Sequence, residues 1–129
     1  MMLSGDFFTI SAMDMEEGSI KAMLELNPDH DIFTGHFPGM PVVPGVCMMQ
    51  MVHETVEQFT GKPMLLSKAD QMKFLVVVDP REKKIIKIEL MYKISEDGAI
   101  NVSATISSDS EICFKFKGSF RPLKGGFDL

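Results

Sequence analysis

Apolar and polar residues alternate along most of this chain. Ile20, Ala22, Leu24 and Leu26 are separated by Lys21, Met23 and Glu25, the pattern of a strand with one buried face. Ile86, Ile88, Leu90, Tyr92 and Ile94 alternate in the same way with Lys87, Glu89, Met91 and Lys93. Ile100, Val102, Ala104 and Ile106 form the next set. Ile112, Phe114, Phe116, Gly118 and Phe120 follow, with Cys113, Lys115, Lys117, Ser119 and Arg121 between them. The segment from Asp6 to Met13 mixes aromatic and β-branched residues and reads as a short strand or edge segment. Met64 to Val78 is also strand-like and carries the apolar run from Phe74 to Val78, which Asp79-Pro80 stops. Turn signals separate these runs at Glu16–Ser19, Asn27-Pro28-Asp29, Glu96-Asp97-Gly98 and Ser107–Ser110.

One stretch breaks the alternation. From Val46 to about Phe59 the chain is rich in Val and Met, with Gln50, Glu54 and Glu57 on one polar stripe at helical spacing. Gly61 is a candidate C-cap, and Lys62-Pro63 lies beyond it. One long helix among antiparallel strands, with no βαβ alternation, predicts a bent antiparallel sheet wrapped around a central helix, an α+β fold. No linker or repeat divides the chain, so residues 1–129 read as one domain, with a partly ordered tail from Pro122 to Leu129.

Composition narrows the function classes. Among 129 residues, 45% are hydrophobic and 24% charged, as in a globular domain. The net charge of −5 argues against a general nucleic-acid binder. No apolar run approaches the roughly 20 residues that cross a bilayer, and no basic region precedes an apolar segment at the N-terminus, so a cytoplasmic, non-membrane protein is expected. Cys47 and Cys113 are the only cysteines and form no metal-ligand cluster; two buried free thiols, no metal and no cofactor are expected. Twelve Met and ten Phe without a Trp suit a deformable core, part of which could line a pocket for a flexible apolar ligand.

The chemistry concentrates in Gly35-His36-Phe37-Pro38-Gly39-Met40-Pro41-Val42-Val43-Pro44-Gly45-Val46. Three prolines and three glycines make this a loop of fixed shape, and it opens directly onto the helix. Nine of its twelve positions resemble the active-site signature of the β-hydroxyacyl-(acyl carrier protein) dehydratases of the hotdog fold. More weakly, Lys73-Phe74 and the residues up to Asp79-Pro80 resemble that family's second signature, with its prolines and Gly-Asp altered.

The resemblance implies a hotdog fold and the conversion of a 3-hydroxyacyl thioester, on acyl carrier protein or CoA, to a trans-2-enoyl thioester in fatty-acid or related biosynthesis. It implies His36 as the base and Gly45 as the backbone donor to the thioester oxygen. Phe37, Pro38, Gly39, Val42 and Val46 are implied as further substrate-binding residues. It implies a homodimer with the site across the interface, with a trimer of dimers as a further assembly. The family's carboxylic acid is expected fourteen residues after the histidine. That position is Gln50, and the carboxylate sits one helical turn on, at Glu54, as though the pair were exchanged. Glutamine orients a hydroxyl or a water but cannot give up and regain a proton at neutral pH. Three readings stay open: Glu54 as the acid, His36 with a water held by Gln50, or acyl binding without dehydration. A hotdog thioesterase is the alternative enzyme. Lys68, Lys73, Arg81, Lys83 and Lys84 are a candidate rim patch for an acidic carrier, or a solvated turn. His30 reads as a surface histidine, with shaping of the pocket entrance as the alternative, and His53 as a packing or interface histidine.

Overall fold

The structure, a computed structural model, describes residues 3–35 and 42–123. The expectations on His36, Phe37, Pro38 and Gly39 lie outside the described residues.

Alternation becomes strand wherever it was strict. Strands β1 (Phe8–Glu16) and β2 (Ser19–Leu26) form a hairpin, with Gly18 at the turn in the left-handed region, φ 80°. A short helix α1 (Ile32–Gly35) and the long helix α2 (Gly45–Thr60) come next. Strands β3 (Met64–Phe74), β4 (Ile85–Ile94), β5 (Ile100–Ser108) and β6 (Glu111–Pro122) complete the chain. All six pair antiparallel in the order β1-β2-β4-β5-β6-β3, so β3 closes one edge of the sheet. Ile20, Ala22, Leu24, Leu26, Ile88, Leu90, Val102, Ile106, Phe114, Phe116 and Phe120 point inward and are buried.

Helix α2 contributes Cys47, Met48, Met51, Val52 and Val56 to the same core. It is enclosed on nearly every side: only Val46 and Gln58 are exposed. The polar stripe is therefore not a solvated face. Glu54 is buried, and Gln50 and Glu57 are half-buried. A nearly buried helix must satisfy its polar groups internally. Thr55 Oγ1 donates to the Met51 carbonyl at 2.8 Å, Glu57 Oε2 accepts from the Met64 N–H at 2.9 Å, and the His53 ring meets the Met64 carbonyl at 2.8 Å. His53 also lies against Phe120, with ring centroids 5.1 Å apart, which makes it the packing histidine expected. Gly61 caps the helix with φ 71°.

Some expectations are corrected. The run from Leu75 to Val78 is not strand: β3 ends at Phe74, where the Leu75 and Val76 N–H groups converge on one β6 acceptor, the Cys113 carbonyl, instead of stepping along the ladder. Ser107 and Ser108 belong to β5, and the turn narrows to Asp109-Ser110, with Asp109 at φ 56°. A register shift between Ile106 and Ser107 changes the phase of β6, so Cys113 is buried beside Phe114 while Ile112 is exposed. Pro122 ends β6 rather than beginning a tail, and Leu123 donates to the Pro63 carbonyl. Both cysteines are free and buried, and burial pushes each thiol up from its ordinary range.

Candidate functional site

The described part of the site is built where α2 begins. Pro44 is the N-cap, with extended backbone at φ −62° and ψ 146°, and its carbonyl accepts from Cys47 and Met48. Proline suits the cap because its ring presets φ just ahead of the helix. The N–H groups of Gly45 and Val46, in the first turn, have no intrahelical acceptor and lie at the positive end of the helix dipole. They are the ready donors for a carbonyl oxygen gaining negative charge.

An apolar pocket of about 390 Å³ adjoins this terminus. Val42, Val43, Pro44, Gly45 and Met48 form one wall, and Phe74, Leu75, Val76 and Val77 the other. The two walls are tied by the Val43 N–H, which donates to the Val78 carbonyl at 2.9 Å. The apolar run that fails to continue β3 thus becomes the pocket wall. Gly45 lets the Phe74 ring pack close to the backbone: a Cβ there would sit 2.8 Å from Cε1 of Phe74, and the ring would have to shift. Of the expected binding residues, Val42 and Gly45 line the pocket. Val46 is exposed and does not line it.

Gln50 and Glu54 lie deeper along the helix. At 1.5 Å per residue, Gln50 is roughly 7.5 Å along the axis from Gly45 and Glu54 roughly 13.5 Å. Gln50 Nε2 donates to Glu54 Oε2 at 3.0 Å. The same carboxylate accepts two backbone N–H groups from the start of the chain, Leu3 at 2.7 Å on Oε2 and Ser4 at 2.9 Å on Oε1. Three donors converge on Glu54, which serves here as an acceptor joining Gln50 to the N-terminal segment.

His30, read from sequence as a surface residue, is only 18% exposed at its side chain. Nδ1 accepts the Ile32 N–H at 3.0 Å, and Nε2 lies 2.9 Å from Asp6 Oδ2. With Nδ1 accepting, Nε2 carries the proton and donates to Asp6. The Phe7 ring meets the His30 ring edge-on at 5.4 Å and the Phe33 ring at 5.3 Å. Sequence reading missed these contacts of Leu3, Ser4, Asp6 and Phe7. The one local signal was the polar Asp6 beside two aromatics.

The candidate basic rim is largely neutralised. Arg81 pairs with Asp79 at 3.1 Å, Lys68 with Asp70 at 3.4 Å, Lys83 with Asp109, and Lys84 reaches Glu25 at 4.0 Å. The Arg81 guanidinium holds the Asp79 carboxyl below the usual carboxylate range. These are solvent-exposed surface pairs, each worth little. Among the described residues no group of three His, Cys, Asp or Glu is placed to hold a metal ion, and no helix is long and apolar enough to cross a membrane.

The chain is similar to known proteins in sequence and in shape. A 3-hydroxyacyl-(acyl-carrier-protein) dehydratase FabZ from Pediococcus pentosaceus is 29% identical over 108 residues, covering 78% of this chain and 72% of the relative. The FabZ of Levilactobacillus brevis is 30% identical over 95 residues, covering 68% of this chain and 64% of the relative. In shape, the chain is similar to the dehydratase heterocomplex ApeI:P from Xenorhabdus doucetiae, with a TM-score of 0.72 at 18% identity, covering 87% of this chain and 96% of that one. The fold is that of the hotdog proteins. The family model of the ApeI dehydratase matches residues 12–118, most of the chain's length, and the chain belongs to this ApeI-like family.

Proposed function

We infer that this chain is a 3-hydroxyacyl thioester dehydratase. The observation that carries the reading is the start of α2: Gly45, opening a helix whose first-turn N–H groups have no intrahelical acceptor, lines an apolar pocket and follows the His36 loop in a chain of the ApeI-like family. The FabZ relatives are named for acyl-carrier-protein substrates, and the same substrate, or its CoA counterpart, is proposed here.

The steps balance as an elimination. The Gly45 N–H polarises the thioester carbonyl, and His36 takes the α-proton. Electrons from the broken C–H bond form the α,β double bond as the β C–O bond breaks. The departing hydroxyl needs a proton. Gln50 cannot supply one, so the proton held by His36 is delivered to it, directly or through a water fixed by the Gln50 amide. Glu54 acts by orienting that amide. Its three donors favour this role over that of acid.

The test is interconversion of a 3-hydroxyacyl and a 2-enoyl thioester by the purified protein, expected in both directions. Release of free thiol with no interconversion would overturn the reading in favour of a thioesterase. A second reading, an acyl-binding subunit of a dehydratase pair, is favoured by Gln50 at the acid's position. Gln50→Glu separates the two. A working native site gains no more than about tenfold from it, whereas an inert protein activated by about a hundredfold would establish the second reading.

We assign a homodimer on the character of β3. It is an eleven-residue edge strand exposed from Leu65 to Phe74, with Leu65, Leu66, Met72 and Phe74 among its side chains. Long apolar edges are otherwise blunted or covered. Light scattering is expected to return twice the chain mass; the single-chain mass at micromolar concentration would refute it.

A further inference from the structure

We propose that the segment Leu3–Phe8 is a strap that fixes the position of α1 relative to α2, with Glu54 and His30 as positioning residues at its two ends. At one end the Leu3 and Ser4 N–H groups are bound by Glu54, whose carboxylate also takes the Gln50 amide. At the other, Asp6 holds the His30 ring, and His30 Nδ1 accepts the first N–H of α1, that of Ile32. Between the ends the segment is folded on itself: the Phe7 N–H donates to the Leu3 carbonyl at 2.8 Å, and the Gly5 N–H to the Phe8 carbonyl at 2.7 Å. It is also seated on the sheet. The Asn27 N–H donates to the Phe7 carbonyl at 2.9 Å, and Asn27 Nδ2 to the Asp6 carbonyl at 3.1 Å. Leu3, Phe7 and Phe33 are buried.

The connection matters because of what each end adjoins. α1 ends at Gly35, the residue before His36. α2 carries Gln50. A four-residue helix is too short to hold its own place by backbone hydrogen bonds alone. The His30 ring, the Phe7–Phe33 contact and the anchor on Glu54 supply the missing constraint. The exchange of glutamine and carboxylate along α2 then has a purpose: the carboxylate at 54 is the group able to accept two backbone N–H groups and an amide together. Glutamine there has one acceptor oxygen, and its NH₂ would confront a backbone donor.

The activity part of the test rests on the dehydratase reading; the exchange part does not. Amide hydrogen exchange is measured at Leu3, Ser4 and Ile32 in the native chain, in Glu54→Gln and in Asp6→Ala. Both variants are expected to speed exchange at all three sites, although Ile32 does not touch Glu54 and Leu3 does not touch the Asp6 carboxylate. Faster exchange confined to the altered end would overturn the strap. Asp6 is 79% exposed at its side chain, so Asp6→Ala keeps the test open if Glu54→Gln does not fold. In turnover, each variant is expected to lose about tenfold in kcat with KM within about twofold, the signature of lost positioning. The double variant is expected to be no slower than the slower single, because both break one connection. Losses that multiply would show two independent effects and refute the strap. A native protein without turnover would count against the dehydratase reading alone, and hydrogen exchange would still decide the strap.

Discussion

His36→Ala is expected to lower the rate of enoyl thioester hydration by about 10²- to 10⁴-fold while leaving the melting temperature close to that of the native chain. In the proposed reaction the imidazole is the one group that moves protons: it takes the α-proton and returns a proton to the hydroxyl. Gln50 cannot substitute, and Glu54 is engaged by three N–H donors. The loss is therefore expected in kcat. KM should change less, because the apolar wall from Phe74 to Val77 and the Gly45 N–H remain to bind the acyl thioester. Loss of enoyl absorbance with time measures it. A variant within tenfold of the native rate would mean that the α-proton goes elsewhere, and the assignment of His36 would fail.

Gly118→Ala is expected to be the most damaging small change to stability. The residue lies mid-strand in β6, where Ala69 is its partner on β3 and Val102 its partner on β5. A Cβ at this position would overlap the Lys68 carbonyl oxygen, come within 2.6 Å of Phe116 Cζ and lie 3.1 Å from the Ala69 Cα. Two of these three atoms are backbone, in a strand whose register shifts on both sides, between Leu66 and Lys68 and between Ala69 and Gln71. Such neighbours cannot swing aside, unlike the Phe74 ring facing Gly45. The cost belongs at the upper end of overpacking, about 3 kcal/mol, which lowers the melting temperature by roughly 10 °C in a domain of this size. Thermal denaturation followed by circular dichroism measures the shift. A fall of less than about 2 °C would show that β3 can retreat from β6 without penalty.

Much of the fold was legible because a sheet with one buried face writes its period into the chain. The sets Ile20–Leu26, Ile86–Leu90 and Ile100–Ile106 are buried as their alternation requires. The helix was readable from its loss of alternation and from Gly61, which takes the left-handed conformation that ends it. Reading failed where long-range partners compete with local pattern. Leu75–Val78 has the composition of a strand, yet its first two N–H groups are taken by the Cys113 carbonyl. Phe114 and Cys113 are both buried because a register shift changed the phase between β5 and β6.

The candidate site divides along the same line. The chain by itself determined the chemistry on offer: a histidine in a Pro/Gly loop, a glycine opening a helix, and glutamine where an acid would stand. These are identities and short spacings, and no folding is needed to read them. Tertiary structure alone decided which groups Glu54 meets. Its partners Leu3 and Ser4 lie 51 and 50 positions away in sequence. No periodicity reaches that far. The helix places the carboxylate on a face, but only the folding of the N-terminal segment over that face supplies the two N–H groups that bind it.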